Sequence, residues 1–276
     1  MGIAHDENRT QIYLIALFYQ ADQVNLRPID KEKRMTWVLA GAFFLIAVLY
    51  AAVGSGGGSG YLAVMGLVGV EPAVMRPTAL VLNVLVTVIG TWRYVRAGHF
   101  SGRLFWPIAA AAMPFAFLGG RWLLPTVVYR PIVALVLFYA ALKLWQSTQE
   151  QAQAGAKLQL PLWVALLAGA AIGLLSGLVG VGGGIFLGPL LMLTGWASTR
   201  QTLGITSAFV LVNSLAGLAG QFSTMATLPP GIWLWLTAVA VGGWLGAEFG
   251  SQRLDPRWLR RLLALVLLLG GIRLLF

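Results

Sequence analysis

Apolar positions in this chain neither alternate with polar ones nor recur as a single helical stripe; they run on without a break. Continuous apolar stretches with few or no charges cover approximately 36–53, 77–97, 104–124, 127–146, 161–180, 201–222, 230–249 and 257–275. At about 1.5 Å per residue, each is long enough to cross a hydrocarbon layer of about 30 Å. A spanning segment must satisfy its own backbone hydrogen bonds, so each is expected to be a helix. A transmembrane β-barrel would instead show alternating segments of about ten residues. The pattern therefore predicts an all-α polytopic membrane protein with eight clear spans.

Two interruptions stand out. "GSGGGSG" (Gly54–Gly60) follows the apolar run "WVLAGAFFLIAVLYAAV", and "GLVGVGGGIFLGPLLML" carries Gly182, Gly183 and Gly184 in the same situation. A short apolar run follows each cluster, 61–70 and 185–195, and is either re-entrant or crosses with its flanks. Three adjacent glycines do not suit helix packing, which wants small residues on one face at three- or four-residue spacing. Scattered glycines such as Gly173, Gly177, Gly242 and Gly246 do suit it, and Gly173→Ala is expected to be mild for that reason. Neither cluster is followed by Lys-Ser or Lys-Thr, so neither is a nucleotide phosphate loop.

The interruptions belong to a longer repeat. Asn83 and Gly90 are matched by Asn213 and Gly220, Arg76 by Arg200, and "LGGRW" (Leu118–Trp122) by "LGAEF" (Leu245–Phe249), at spacings between 124 and 130 residues. Two helical halves are expected, 35–147 and 161–276, each with a glycine-broken segment, joined by a polar linker at 148–160. Residues 1–34 read as a peripheral tail, with Met35 a natural first residue. The loop "RYVRAGHFSGR" is basic while its counterpart around Phe222 to Pro229 has no Lys or Arg. Such swapped charge points to halves of opposite orientation, with parallel halves as the alternative.

A helix that stops inside a membrane leaves backbone groups unpaired, which is tolerated only against protein or a watery cavity. If a new helix starts after each break, at Tyr61 and Ile185, its first-turn N–H donors and dipole attract an anion. Around the breaks the sequence offers backbone donors at Gly56, Gly57, Gly58, Gly182, Gly183 and Gly184, hydroxyls at Ser55, Ser59, Thr78, Thr206 and Ser207, and amides at Asn83 and Asn213. Asn83 and Asn213 fall at matching positions of the two halves and are expected to face a common cavity. Arg76 and Arg200 are candidates for guiding the anion, against ordinary snorkelling at span ends. Glu248, opposite Arg121 in the repeat, is the candidate for proton coupling, against plain interfacial placement.

Composition narrows the chemistry. With 58% hydrophobic and 10% charged residues, the chain departs far from the soluble average of about a quarter charged. A formal net charge of +10 fits basic membrane flanks or an anion-attracting interior. There is no cysteine and there are two histidines, so disulfides, thiolate metal sites and cysteine nucleophiles are excluded and a histidine-rich metal site is not available. No catalytic constellation appears, no metal ligand set and no cofactor motif; no nucleic-acid partner is expected.

The paired motifs "AAVGSGGGSGYLAVMGLVGVEP" with "RPTALVLNVLVTVIGTWRYVRAGHF", and "GLLSGLVGVGGGIFLGPLLML" with "LGITSAFVLVNSLAGLAGQF", resemble the two repeats of the sulfite/sulfonate exporter family, the TauE/SafE type of membrane permease. The first half departs by carrying Ala79 where Ser207 stands in the second. The resemblance implies a multi-pass protein of the inner membrane that exports a small anion such as sulfite or an organosulfonate by secondary transport. A passive anion channel is the alternative, and a membrane-embedded enzyme the more distant one.

Overall fold

The computed structural model describes residues 33–122, 124–146, 161–222, 228–252 and 257–275. The N-terminal tail and the 148–160 linker lie outside the described residues. The chain divides into two units, Met1–Leu39 and Ala40–Phe276. Of the first, residues 33–39 are described and are helical.

Among the described residues every regular element is a helix. In chain order these are α1 (Lys33–Ala52), α2 (Gly58–Leu67), α3 (Pro72–Arg96), α4 (Gly102–Arg121), α5 (Thr126–Gln146), α6 (Leu162–Val179), α7 (Gly184–Leu193), α8 (Thr199–Gln221), α9 (Ile232–Gln252) and α10 (Arg257–Leu275). Six of them, α1, α3, α4, α5, α6 and α8, are long and apolar enough to cross a membrane, and Ile232–Glu248 within α9 is a shorter apolar helix. The order of one long helix, one of ten residues and three long ones therefore occurs twice. At 1.5 Å per residue the ten-residue α2 and α7 each cover about 15 Å, half a hydrocarbon core.

Local sequence explains the ends. Pro72 occupies the first turn of α3, where its missing N–H costs nothing. Ser198 and Gln201 close a capping box at the start of α8: Ser198 Oγ accepts from Gln201 N at 3.4 Å, and Ser198 N donates to Gln201 Oε1 at 3.2 Å. Gly180 ends α6 with φ 88, its N–H donating to Ser176 O at 2.8 Å. The two short helices begin at Gly58 and Gly184, slightly ahead of the Tyr61 and Ile185 starts read from the sequence. Small residues at 58–60 accept helical dihedrals as readily as loop ones, so the helix extends back until the left-handed residue before it.

Glycine also sets how closely the long helices approach. Gly169, Gly173 and Gly177 form a four-residue stripe on α6 that lies against the Ile108, Ala112 and Ala116 carbonyls of α4, and Gly242 and Gly246 of α9 lie against Phe44 and Val48 carbonyls of α1. Such crossings are held by backbone-to-backbone contact, since lipid supplies no hydrophobic drive between helices. Packing is thus the role of these glycines, as their spacing suggests. A Cβ on Gly173 would nonetheless stand 2.7 Å from Ala112 Cα, which belongs to backbone and cannot swing aside.

Gly173→Ala should therefore force α4 and α6 apart and cost about 1–3 kcal/mol, as overpacking does. Gly41→Ala, with nothing within 4 Å of the added methyl, should stay within about 0.5 kcal/mol. Unfolding of the two purified variants in detergent compares them directly. Equal stability would mean that the α4–α6 crossing tolerates a wider separation.

Candidate functional site

The two glycine breaks meet. A Cβ on Gly58 would stand 2.6 Å from the Val181 carbonyl oxygen and 2.6 Å from Asn83 Nδ2, while one on Gly184 would stand 2.9 Å from Ser55 Oγ. Each break thus touches the other, and Asn83 of α3 lies against both: Gly56 faces its Oδ1, and Gly182 its Nδ2. Val210 of α8 closes the cluster, bearing on Gly56, Gly182 and Gly184.

Backbone conformation there requires glycine. Gly57 and Gly183, the N-caps of α2 and α7, have φ of 90 and 86, a region that side chains with a Cβ rarely adopt. Neither N-cap provides a side-chain oxygen to the first turn. The first N–H groups of a helix have no partner within it, so α2 and α7 bring unused donors and two positive dipole ends to the same place.

The side chains around the breaks are buried, polar and under-satisfied. Asn83 is 0% exposed; its Nδ2 donates to Val181 O at 3.2 Å, and its Oδ1 has no partner within the protein. Asn213, also fully buried, has no partner for either amide atom. The same holds for the hydroxyls of Thr78, Thr206 and Ser214. Each such group costs about 1–3 kcal/mol when left unpaired, so a set of them calls for something that binds there. Asn213 Nδ2 and Ser214 Oγ approach Gly183 and Gly182 respectively, and Thr206 approaches Gly184.

Of the residues singled out from sequence, the structure brings together Ser55, Gly56, Gly58, Asn83, Gly182, Gly183, Gly184, Thr206 and Asn213. Gly57 adjoins the Tyr61 ring instead. Thr78 is buried on α3. Ser59 shares a 2.7 Å hydrogen bond with Tyr50 OH, and Ser207 accepts from Thr91 Oγ1 at 3.4 Å while standing against Gly90, so both hydroxyls already have partners. Ser214 and the unpartnered Tyr61 hydroxyl were missed. Ser214 could have been found as the neighbour of Asn213, whereas Tyr61 is hidden in an apolar run.

Asn83 and Asn213 both reach the second break, at Gly182 and Gly183 respectively. Val210 stands with Asn83 over both breaks, each of the two side chains lying against Gly56 and Gly182. Asn213 sits about one turn further along the same helix face.

Neither arginine reaches the break cluster as a free cation. Arg76 is 5% exposed and does not snorkel. Its Nε and Nη2 donate to Gly177 O at 3.0 and 2.7 Å, Nη1 to Trp122 O at 3.0 Å, and Nη2 also to the Gly119 and Gly120 carbonyls, the latter at 2.7 Å. It holds the C-terminal carbonyls of α4 and α6, where a cation also suits the dipoles. Arg76 adjoins Gly180, while Arg200 is an exposed residue in the first turn of α8. Glu248 is ion-paired with Arg93, its side chain 42% exposed. Among the described residues no group of three or more His, Cys, Asp or Glu could hold a metal ion.

A family model described as "Sulfite exporter TauE/SafE" matches residues 39–274. A relative from Sinorhizobium fredii (strain NBRC 101917 / NGR234), described as "Probable membrane transporter protein y4hK", is 41% identical over 240 residues, covering 86% of this chain and 97% of the relative. No solved structure matches the chain.

The carbonyl contacts of Arg76 generate a prediction. Arg76→Met should lower stability by about 1–3 kcal/mol by leaving helix-end carbonyls buried without donors, while Arg200→Met should be near neutral. Thermal unfolding of the purified variants measures both. A stable Arg76→Met protein with impaired anion flux would return Arg76 to the guiding role.

Proposed function

The chain belongs to the sulfite exporter TauE/SafE family of membrane transporters, and on that premise we propose that it is a secondary carrier exporting a small oxyanion, sulfite or an organosulfonate, across the inner membrane. The observation that carries this reading is the meeting of two glycine breaks around Asn83, with helix-start N–H groups, unpartnered amides and unpartnered hydroxyls. A pyramidal or tetrahedral oxyanion needs convergent N–H and O–H donors and positive potential, with no fixed carboxylate beside it. Glu248, the one intramembrane carboxylate singled out from sequence, belongs to the Arg93 pair instead. Coupling would come from an ion gradient or the membrane potential. The site holds the anion by donors alone and the protein acts as a carrier rather than an enzyme.

The proposed carrier consists of two five-helix halves related by exchange, α1–α5 with α6–α10. Several contact pairs support this. Gly180 meets Arg76 as Gly54 meets Leu203; Gly90 meets Ser207 as Gly217 meets Leu80; Gly119 meets Leu174 as Gly246 meets Val48. With the swapped loop charge, the halves are taken as inverted, and the anion would sit where they meet while access alternates between the two sides.

Two measurements test the proposal. In proteoliposomes offered sulfite, sulfoacetate, taurine, thiosulfate and acetate, the wild type should move a sulfur oxyanion with saturation. Asn83→Leu and Asn213→Leu should each lower flux about 10- to 100-fold, the equivalent of one or two hydrogen bonds to a charged ligand. Gly57→Val and Gly183→Val should abolish it and Gly57→Ala should be intermediate; wild-type flux in folded Asn83→Leu and Asn213→Leu would assign both amides to packing. The chain lacks cysteine, so single cysteines are informative: Val70→Cys and Trp196→Cys should be labelled from opposite faces of a vesicle. Labelling from one face would make the halves parallel.

A further inference from the structure

A cavity of about 320 Å³ lies at the C-terminal end of α3, walled by Trp92, Arg93, Tyr94, Arg96, Ala97 and, from α9, Ala247. Arg93 lies ten residues beyond Asn83 on the same helix, about 15 Å away, so the cavity is separate from the glycine breaks. The space is enough for about ten waters at roughly 30 Å³ each, or for a small oxyanion with part of its hydration shell.

Its charge is unbalanced. Among the described residues Arg93 is paired with Glu248 and Arg96 brings a second guanidinium, one positive charge more than the carboxylates there. Compensating the α3 dipole accounts for only about half a charge. Aromatic faces hold both guanidiniums: Arg93 stands 4.4 Å from the Trp244 ring centroid and Arg96 4.3 Å from that of Trp92, the two rings being 6.5 Å apart. Stacking fixes each guanidinium plane, and apart from Arg93 Nη1, which is taken by Glu248, leaves the in-plane N–H groups for an acceptor. One such donor, Arg93 Nε, is buried without a partner.

Nor does the fold impose a cavity at this position. Among the described residues of the other half, the position matching Arg93 is filled tightly: Gly220 packs on Phe117 and Arg121 backbone, and Gly120 packs on the Gly217 backbone. The space at the α3 end exists because arginines and tryptophans replace glycine-tight contact.

We propose that this cavity is a second, peripheral oxyanion site, in which Arg93 and Arg96 take a sulfur or phosphorus oxyanion with their planar N–H forks. That oxyanion comes either from water, as free substrate waiting at the mouth of the carrier, or from the phosphate of a lipid headgroup. The site goes beyond the central one and does not depend on it.

The test is equilibrium binding to purified full-length protein, with radiolabelled sulfite as the aqueous probe and dihexanoyl phosphatidic acid as the lipid probe. In wild type and in Asn83→Leu, Arg93→Gln/Arg96→Gln should weaken one probe at the peripheral site at least tenfold. Weakened sulfite identifies free anion as the occupant; weakened phosphatidic acid alone identifies lipid. Ala97→Phe, which fills the cavity and keeps both charges, should have the same effect and covers the case in which the double variant does not fold. If both probes bind the double variant and Ala97→Phe within twofold of wild type, the peripheral site is overturned. If Asn83→Leu binds sulfite like wild type while the arginine variant loses it, the peripheral site stands and the central one fails.

Discussion

Hydrocarbon gives a backbone amide nothing to bond to, and this chain opens its helices twice in spite of that. Both openings are at glycine clusters, both lead into ten-residue helices capped by left-handed glycines, and each is covered by the other. Open backbone inside a membrane protein survives only against protein or an enclosed polar space. Burying the two breaks against each other meets part of that requirement, as where Val181 O accepts from Asn83 Nδ2. The remainder stays as unpartnered amides and hydroxyls, the standing demand that a bound oxyanion would satisfy.

The surrounding packing follows from that arrangement. Helices can close around the breaks only if they approach nearly backbone to backbone, and the glycine stripe of α6 on α4 allows this. Arg76 does the complementary work at the helix ends. Where α6 stops before its break, the carbonyls of its last turn and those at the end of α4 converge on one guanidinium, and Tyr129 OH donates to Val179 O at 3.0 Å beside it. The same guanidinium thus offsets the negative dipole ends of α4 and α6 beside Gly180.

Much of this was legible because apolar length and adjacent glycines are local signals. The eight apolar runs read from the sequence fall on observed helices, six of them long and apolar enough to cross a membrane, and both breaks fall at the expected glycines, where Gly57 and Gly183 are left-handed. What escaped was non-local. Asn83 and Asn213 look matched because each precedes a glycine by seven residues, yet a shift of three residues is nearly one helical turn and keeps the same face, so the pattern cannot choose the register. Arg76 lies 43 to 101 residues from its acceptors, too far for any window along the chain to connect them. Gly173 was correctly read as a packing glycine, but the cost of a methyl there depends on Ala112, which belongs to another helix.

The correspondence of the halves has a further consequence. Under the proposed pairing of halves, backbone features repeat, as with Gly54 and Gly180, Gly57 and Gly183, or Gly90 and Gly217, whereas several polar side chains do not: Arg76 is matched by Leu203, Asn83 by Val210, Ser207 by Leu80 and the Arg93–Glu248 pair by Gly220 and Arg121. On that pairing the geometry is supplied twice and much of the site chemistry once. In an exchange of the proposed kind, two chemically identical halves would give two states of equal energy, populated alike. With these residues unrepeated, each proposed state would place the polar set differently with respect to the two sides, so the energies would differ, and the side to which the empty carrier opens would be set by those residues rather than by the fold.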